Sequence, residues 1–316
     1  MMTAMRLRLT LTLAALLLAA TTMPLRADNK AFLGRWNLTG TGADSTAVFW
    51  LEVKEENGQL SGVFLNRGGS PVKLASVEVK NDELIFTTAG ANNNPGQTHT
   101  AKLVGDKLNG HVTVRDRTIN WVGVRPPAWP PSNANAAHTF GKPADLSTLD
   151  AWGLQRPDRP SGWSMVEGAM TNEKDANNLV SKEKFKDFRI QAEYKIETGS
   201  NSGIYLRGRY ELQVLDDFGK PTEEHGHMAI YAWVKPLVNA SKPGGEWQAM
   251  EATIVGNRVT VTLNGQKVHD NTQIQAITGG ALDANETEPG PIVLQGDHGK
   301  VWYRKVVVTP IVKAQS

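Results

Sequence analysis

Apolar and polar residues alternate along most of the chain, and this period of two predicts β-strands rather than helices. The alternation is clearest in four segments that are rich in β-branched and aromatic residues and end at turn residues, namely 47–53, 60–65, 72–79 and 83–88. Segments 98–103, 107–114 and 118–124 continue the same spacing. Short strands joined by short turns are typical of a small antiparallel β-domain, which we predict over residues 28–125.

A Gly-x-Trp sequence at residues 34–36 opens this β-domain. It resembles the first strand of lipocalin-like barrels, in which the Trp plugs one end of the barrel. A buried Trp also begins other small β-domains, so a lipocalin-like barrel and a sandwich both remain open.

Prolines then interrupt the strand pattern, and residues 126–139 form a predicted Pro-rich linker. Alternation returns at 188–196 and continues to 301–308. The Asn-Gly pair at 264–265 is a strong hairpin signal, because both central residues of a type I′ turn need a positive φ. We therefore predict an all-β second domain over residues 140–316, built as a two-sheet jelly roll.

The first 27 residues have the features of a secretory signal peptide. Arg6 and Arg8 precede an apolar run over residues 9–20, and Ala27 offers a cleavage point. The run is shorter than a membrane helix requires, so we expect an exported protein, periplasmic or secreted, with no membrane span.

Composition limits the classes of function. The chain of 316 residues has no Cys, which excludes disulfide scaffolds, thiol nucleophiles and Cys-based zinc sites. Without the predicted signal peptide, 31 basic residues face 32 acidic ones, for a net charge of −1. Nucleic-acid binding requires an excess of Lys and Arg against phosphates, so we expect no nucleic-acid partner. The sequence does not indicate an oligomeric state.

Polar side chains concentrate between residues 201 and 227 and again at 295–298. Glu211 and Gln213 are two residues apart on a predicted strand and therefore share one face of its sheet. Such a face is either solvated or, in a concave sheet, a surface for a sugar, with Tyr205, Tyr231 and Trp233 as aromatic platforms.

Histidines near carboxylates suggest proton transfer or metal binding. His225 and His227 follow Asp216 in a turn-rich loop, and this set has the residue types of a divalent metal site. Two solvated histidines on a surface loop are the plainer interpretation. No cofactor is required by the sequence, and a divalent metal is left open.

Six blocks in the second half resemble the 3-keto-disaccharide hydrolase family, whose domain was long classed as one of unknown function. They are 201–207 (NSGIYLR), 210–217 (YELQVLDD), 238–243 (VNASKP), 245–247 (GEW), 263–265 (LNG) and 294–299 (LQGDHG). The resemblance implies a concanavalin-A-like jelly roll that acts on a sugar already oxidised at C3. It further implies removal of the acidified C2 proton, elimination at C1 and addition of water.

The resemblance also implies the site residues. The implied catalytic residues are Glu211 or His225 as the base, with Arg207 and His298 as electrophilic support. The implied substrate-binding residues are Asn201, Gln213, Asp216, Lys242 and Gln295. Tyr231 and Trp233 complete the predicted substrate-binding set as aromatic platforms, although family members often have small residues in the loop that contains Trp233.

Two other functions remain open. The first is a laminarinase-type hydrolase of the same fold, which carries a Glu-x-Asp-x-x-Glu sequence. In this chain Gln213 stands in place of the central Asp, and Asp216 stands in place of the last Glu. A lectin-like protein that binds carbohydrate without cleaving it is the other alternative, because the fold does not determine the function.

Overall fold

The N-terminal strands form a closed antiparallel barrel. The computed structural model describes residues 29–90 and 96–313. In the first part of that range each strand pairs with its neighbour, and β1 pairs with β8 to close the barrel. The strands are β1 Gly34–Gly40, β2 Val48–Glu56, β3 Gln59–Leu65, β4 Pro71–Lys80, β5 Glu83–Thr88, β6 Thr98–Val104, β7 Lys107–Val114 and β8 Arg117–Val124. Of the two predicted architectures, the structure therefore shows the barrel.

Large side chains fill the barrel interior. Trp36, Phe86 and Trp121 are fully buried, and a Cβ atom added to Gly110 would lie 2.3 Å from the Trp121 ring. His99 stacks on Phe86 with ring centroids 4.5 Å apart. The interior is a packed core, as small barrels of this strand number permit.

The C-terminal strands form two sheets that share one core. The strands are β9 Thr139–Phe140, β10 Ala144–Asp145, β11 Trp152–Leu154, β12 Trp163–Val166, β13 Ala169–Asn172, β14 Leu179–Phe185, β15 Phe188–Ile196, β16 Asn201–Leu206, β17 Tyr210–Leu215, β18 Gln248–Val255, β19 Arg258–Leu263, β20 Gln266–Gln273, β21 Gly290–Leu294 and β22 Val301–Lys313. The larger sheet has the order β12-β13-β22-β15-β18-β19-β20, with β9 and β10 also paired to β22. The smaller sheet has the order β11-β14-β21-β16-β17.

Strict alternation in the strands explains why the sheets pack face to face. In β15 the residues are alternately buried and half-buried, so Ile190 and Tyr194 point into the core. From the smaller sheet, Ile204, Leu212 and Leu294 enter the same hydrophobic cluster. The all-β jelly-roll prediction is confirmed. Helical structure in the described residues is limited to the short 3-10 turns Asn29–Ala31, Gly42–Asp44 and Leu149–Ala151.

The barrel packs directly against the jelly roll. Val48, Trp50 and Leu65 lie on the barrel but belong to the hydrophobic core cluster of the second domain. Trp50 contacts Trp233 edge to face, with ring centroids 5.0 Å apart. Asn37 donates a hydrogen bond of 2.7 Å to Glu286 across the same interface. These buried contacts hold the barrel in one position relative to the smaller sheet.

The predicted signal peptide, residues 1–27, lies outside the described residues. In the part of the chain that is described, no helix is long and apolar enough to cross a membrane.

Candidate functional site

The outer face of the smaller sheet carries a cluster of polar side chains. In the antiparallel register of β16 and β17, Tyr205 lies opposite Glu211 and Gly203 lies opposite Gln213. Alternation places Asn201, Tyr205, Glu211 and Gln213 on one face, whereas Leu212 and Val214 enter the core. Gln295 follows β21, the strand on the other side of β16, and joins this face.

Glu211 is the central residue of this face, and it is only 4% exposed. Burial raises the pKa of its carboxyl to about 8, although a hydrogen bond from Tyr205 and the charge of His298 partly oppose that rise. The Tyr205 hydroxyl lies 2.9 Å from Oε2 of Glu211 and 3.1 Å from the carbonyl oxygen of Gly279. The carboxyl is therefore largely protonated at neutral pH.

An ion-pair chain lies beside this carboxyl. Nδ1 of His298 lies 2.8 Å from Oδ1 of Asp297, and Arg156 donates to Oδ2 of Asp297 at 3.1 Å. The hydrogen bond with Asp297 raises the pKa of His298, while partial burial lowers it. The negative charges of Asp297 and Glu211 raise the pKa further, so the net shift is upward. The pKa of Asp297 is lowered, because the bond to His298 and the charges of His298 and Arg156 outweigh burial. His298 thus retains its proton to higher pH than a free imidazole.

Three amide side chains around Glu211 have a buried oxygen without a partner. These are Oδ1 of Asn201, Oε1 of Gln213 and Oε1 of Gln295, judged over the described residues. Buried polar atoms without a partner are rare, and each costs about 1–3 kcal/mol. Three of them lie on this one face, together with the buried carboxyl of Glu211.

These groups line one pocket with a volume of about 610 Å³, a size typical of small-molecule sites. Its lining residues include Gln155, Arg156, Asn178, Asn201, Tyr205, Glu211, Gln213, Tyr231, Gly279, Gly280, Val293, Gln295, Asp297 and His298. Thr46, Arg67 and Gly68 of the barrel also line it, so both domains contribute to the pocket. Planar amides, carboxyls and Tyr rings are the groups that bind sugar hydroxyls and ring faces.

The structure brings six of the eleven predicted site residues to this pocket, namely Asn201, Glu211, Gln213, Tyr231, Gln295 and His298. His225 lies just outside the lining. Its ring packs edge to face on Tyr231, with centroids 5.0 Å apart, and its Nε2 lies 2.7 Å from the hydroxyl of Ser70. This position makes Glu211 the better placed of the two predicted bases.

Arg207 is not in the pocket, contrary to the role expected for it. It follows β16 with a φ of 56°, which ends the alternation of the strand and turns its side chain away from Glu211. Its guanidinium is buried, donates to the carbonyl oxygens of Lys186 and Gly256, and forms an ion pair with Asp187 at 2.8 Å. These contacts give Arg207 a structural role.

Three predicted substrate-binding residues also lie elsewhere. The carboxylate of Asp216 accepts hydrogen bonds from the backbone amides of Gly199 and Gly244, and thereby holds two turns together. Lys242 donates through Nζ to the carbonyl oxygen of Trp247. Trp233 packs on the barrel and donates to the carbonyl oxygen of Ile277, so its ring is part of the domain interface rather than a sugar platform.

The residues considered for a metal site are separated by their contacts. The ring of His227 is buried, with Nε2 2.6 Å from the Tyr194 hydroxyl and Nδ1 bonded to the backbone of Leu215. His225 and Asp216 have the other partners described above. Within residues 29–90 and 96–313, no group of three or more His, Cys, Asp or Glu side chains has a metal-binding arrangement.

Several pocket residues were absent from the sequence prediction. Arg156 and Asp297 complete the ion-pair chain with His298, and Asp297 stands next to a predicted residue in the Gly-Asp-His-Gly segment at 296–299. Arg67 belongs to the other domain, and no local pattern connects it with Glu211. The Asp-His pair was a signal that the sequence offered, whereas Arg67 required the structure.

Comparison with known proteins agrees with the resemblance in the sequence. Residues 140–309 match the family described as the 3-keto-alpha-glucoside-1,2-lyase-like domain. The chain belongs to this family. A 3-keto-disaccharide hydrolase from Bacteroides thetaiotaomicron is similar to this member, with 24% identity over 160 residues, which covers 39% of this chain and 55% of the relative. This chain therefore spans little more than half the length of that relative.

Two solved structures are also similar to this chain. A candidate glycosyl hydrolase from Parabacteroides distasonis is 26% identical, covers 59% of this chain and 92% of its own, and has a TM-score of 0.47. A second one from the same organism is 23% identical, covers 54% of this chain and all of its own, and has a TM-score of 0.44.

Proposed function

We propose that this protein cleaves the glycosidic bond of 3-keto-glycosides by elimination followed by hydration. One observation carries the proposal. Glu211, a buried carboxyl with a pKa of about 8, lies in a sugar-sized pocket beside the Asp297–His298 pair. General bases work best when their pKa is near the operating pH, and burial gives Glu211 that property. Membership of the family supports the proposed substrate class.

The proposed reaction begins at C2 of the keto sugar. Ionised Glu211 takes the C2 proton, and the electrons of the C–H bond form an enolate with the C3 carbonyl oxygen. The enolate collapses to the ketone, a C1–C2 double bond forms and the C1–O bond breaks. His298 gives a proton to the departing oxygen. Water then adds its hydroxyl to C1 and gives its proton to His298, while Glu211 returns its proton to C2. The products are a 3-keto sugar and an alcohol, and both side chains regain their starting protonation states.

The positions of the other groups fit these steps. Asp297 holds the imidazole of His298 and favours its protonated form, as a general acid requires. The amides of Gln213 and Gln295 line the same pocket and offer hydrogen bonds to the sugar and to the enolate oxygen. Tyr205 also fixes the carboxyl through its own bond of 2.9 Å.

A laminarinase-type mechanism has less support. It requires two carboxyls about 5–5.5 Å apart on one sugar-binding face. Asp216, the predicted second member, is bound to two backbone amides and does not line the pocket. We also propose export to the periplasm or medium, on the signal-like sequence of residues 1–27.

The test is turnover of a 3-keto glucoside beside its unoxidised parent, with and without a chelator. We expect cleavage of the keto sugar alone and a loss of at least about 1,000-fold in kcat/KM for Glu211→Gln, because the amide cannot accept the C2 proton. Sensitivity to the chelator would reveal a metal requirement. Binding of either sugar without cleavage would replace the proposal with the lectin-like function.

A further inference from the structure

The barrel contributes a loop to the wall of the pocket. This wall loop, residues 66–70, joins β3 to β4. The carbonyl oxygen of Arg67 accepts a hydrogen bond of 2.9 Å from the amide of Gly280, and a Cβ added to Gly279 would lie 2.3 Å from the carbonyl oxygen of Gly69. Backbone thus meets backbone at van der Waals distance, and the loop is fixed against the pocket.

A second contact fixes the end of the wall loop. The hydroxyl of Ser70 lies 2.7 Å from Nε2 of His225, and His225 packs on Tyr231, which lines the pocket. The buried Trp50–Trp233 contact lies in the same interface between barrel and jelly roll. The loop is therefore positioned by the domain interface and is a built part of the pocket.

Arg67 is the charged residue that this loop brings to the pocket. Its backbone is bonded to Gly280, yet across the described residues its guanidinium forms no ion pair or hydrogen bond. Other pocket cations differ in this respect, since Arg156 and His298 are both bound to Asp297. An arginine with its five donors unused in a pocket wall is suited to an anionic oxygen group.

The lining side chains differ in solvent exposure between the floor and the rim of the pocket. Glu211, Gln213 and Gln295 are buried on its floor, whereas Arg67 and Thr46 are exposed at its rim. The reacting C1 and C2 atoms must lie against Glu211 on the floor. The rim, where the barrel residues lie, is then the part of the pocket left for the group attached through the C1 oxygen.

The charges of the pocket favour an anion. Arg67 and Arg156 are opposed by Asp297, while Glu211 is largely protonated at neutral pH. The pocket therefore has a net positive charge even before the imidazolium of His298 is included. Positive clefts raise the local concentration of anionic ligands and bind them more tightly.

We propose that Arg67 of the barrel is a specificity-determining residue that selects 3-keto-glycosides whose leaving group carries a carboxylate. The inference rests on the proposed function for its reaction but concerns a different domain and a different part of the substrate. It also assigns the barrel a role, because the jelly roll alone lacks this side of the pocket.

The test compares two 3-keto glucosides that differ only in a 4-carboxyphenyl or a 4-carbamoylphenyl leaving group, which have nearly the same shape. The full-length protein should prefer the carboxylate in kcat/KM. Arg67→Gln should lower that preference about tenfold, the size of one charge-assisted hydrogen bond, and Arg67→Lys should retain part of it. Arg115→Gln is the matched control, since Arg115 is an exposed arginine of the barrel outside the pocket lining.

Taking the ratio between the two substrates removes any general loss of activity, and circular dichroism checks that each variant is folded. An unchanged ratio in Arg67→Gln would overturn the inference, as would an equal change in Arg115→Gln. Calorimetric binding of the two unoxidised glucosides separates this inference from the proposed function. A carboxylate preference in binding that needs Arg67, without turnover of any keto sugar, would support the barrel site and refute the reaction.

Discussion

Replacing Tyr205 with Phe tests how the protein sets the basicity of Glu211. The Tyr205 hydroxyl lies 2.9 Å from Oε2, and its hydrogen bond lowers a pKa that burial has raised to about 8. A hydrogen bond to a charged group contributes about 1.5 kcal/mol, and this free energy corresponds to a pKa shift of about one unit. Tyr205→Phe should therefore raise the pKa of Glu211 by about one pH unit.

The magnitude can be followed through to a rate. With a pKa of about 8, roughly a tenth of Glu211 is ionised at pH 7, and in the variant only about a hundredth is. We expect kcat/KM for a 3-keto glucoside to fall about tenfold at pH 7 and by less at pH 9. The rising limb of its pH profile should move upward by about one pH unit, because that limb reports the base of the free enzyme.

Tyr210→Phe is the matched control for this experiment. Tyr210 is also buried and donates a hydrogen bond of 2.7 Å to a carboxylate, that of Glu286, but it points into the core. Its loss should reduce stability without moving the rising limb. A limb that stays in place in Tyr205→Phe, or that moves equally in both variants, would refute the assignment of Glu211 as the base.

Three further substitutions follow from the structure. Gly203→Ala places a Cβ 2.2 Å from Oε1 of Glu211, so the carboxyl must move and kcat/KM should fall about 100-fold. Gly153→Ala on the same sheet is the control and should remain active, because its Cβ would lie 3.8 Å from the nearest atom, the carbonyl oxygen of Val180. His99→Leu removes a buried imidazole whose pKa burial lowers to about 4. Below about pH 6.5 the imidazole of the unfolded chain binds a proton, whereas the imidazole of the folded chain does not. Between pH 7 and pH 5 the wild type should therefore lose about 2 kcal/mol more stability than the variant. Urea titrations at both pH values test this, and equal losses would contradict it. Glu211→Gln should raise the free energy of unfolding at pH 8 but not at pH 4. Between about pH 4.5 and pH 8 the Glu211 carboxyl ionises in the unfolded chain but not in the folded one, so the wild type becomes less stable as the pH rises. Thermal melts at both pH values test the sign.

Local patterns in the sequence were sufficient for the fold class. Alternation and turn residues predicted most of the long strands of both domains, because a strand buried on one face must alternate. The seven-residue strand Leu179–Phe185 was missed, because its burial does not alternate regularly. The short strands Trp152–Leu154 and Trp163–Val166 were not predicted, since three or four residues are too few to show a period. Closure of the barrel depends on the pairing of β1 with β8, a long-range contact that no local pattern encodes.

The candidate site was predictable where it follows strand geometry and unpredictable where it depends on a turn or on the other domain. Glu211 and Gln213 lie two apart on a regular strand, and they do share the pocket. Arg207 stands one residue beyond the end of its strand, where a positive φ reverses the direction of its side chain. Arg67 reaches the pocket through domain packing, about which residue spacing carries no information.

Several side chains of the pocket destabilise the folded protein, and this loss of stability is an argument that the pocket has a function. The smaller sheet buries Glu211 where its charged form is disfavoured, and it leaves buried oxygens of Asn201, Gln213 and Gln295 without partners. A face selected only for stability would carry apolar or fully hydrogen-bonded side chains instead, because each of these groups is destabilising. Arg207 is the contrast, since it is equally buried but every part of its guanidinium has a partner. The unpartnered oxygens of Asn201, Gln213 and Gln295 therefore lie on the face where a sugar is proposed to bind, and the hydroxyls of that sugar would supply partners for these side chains.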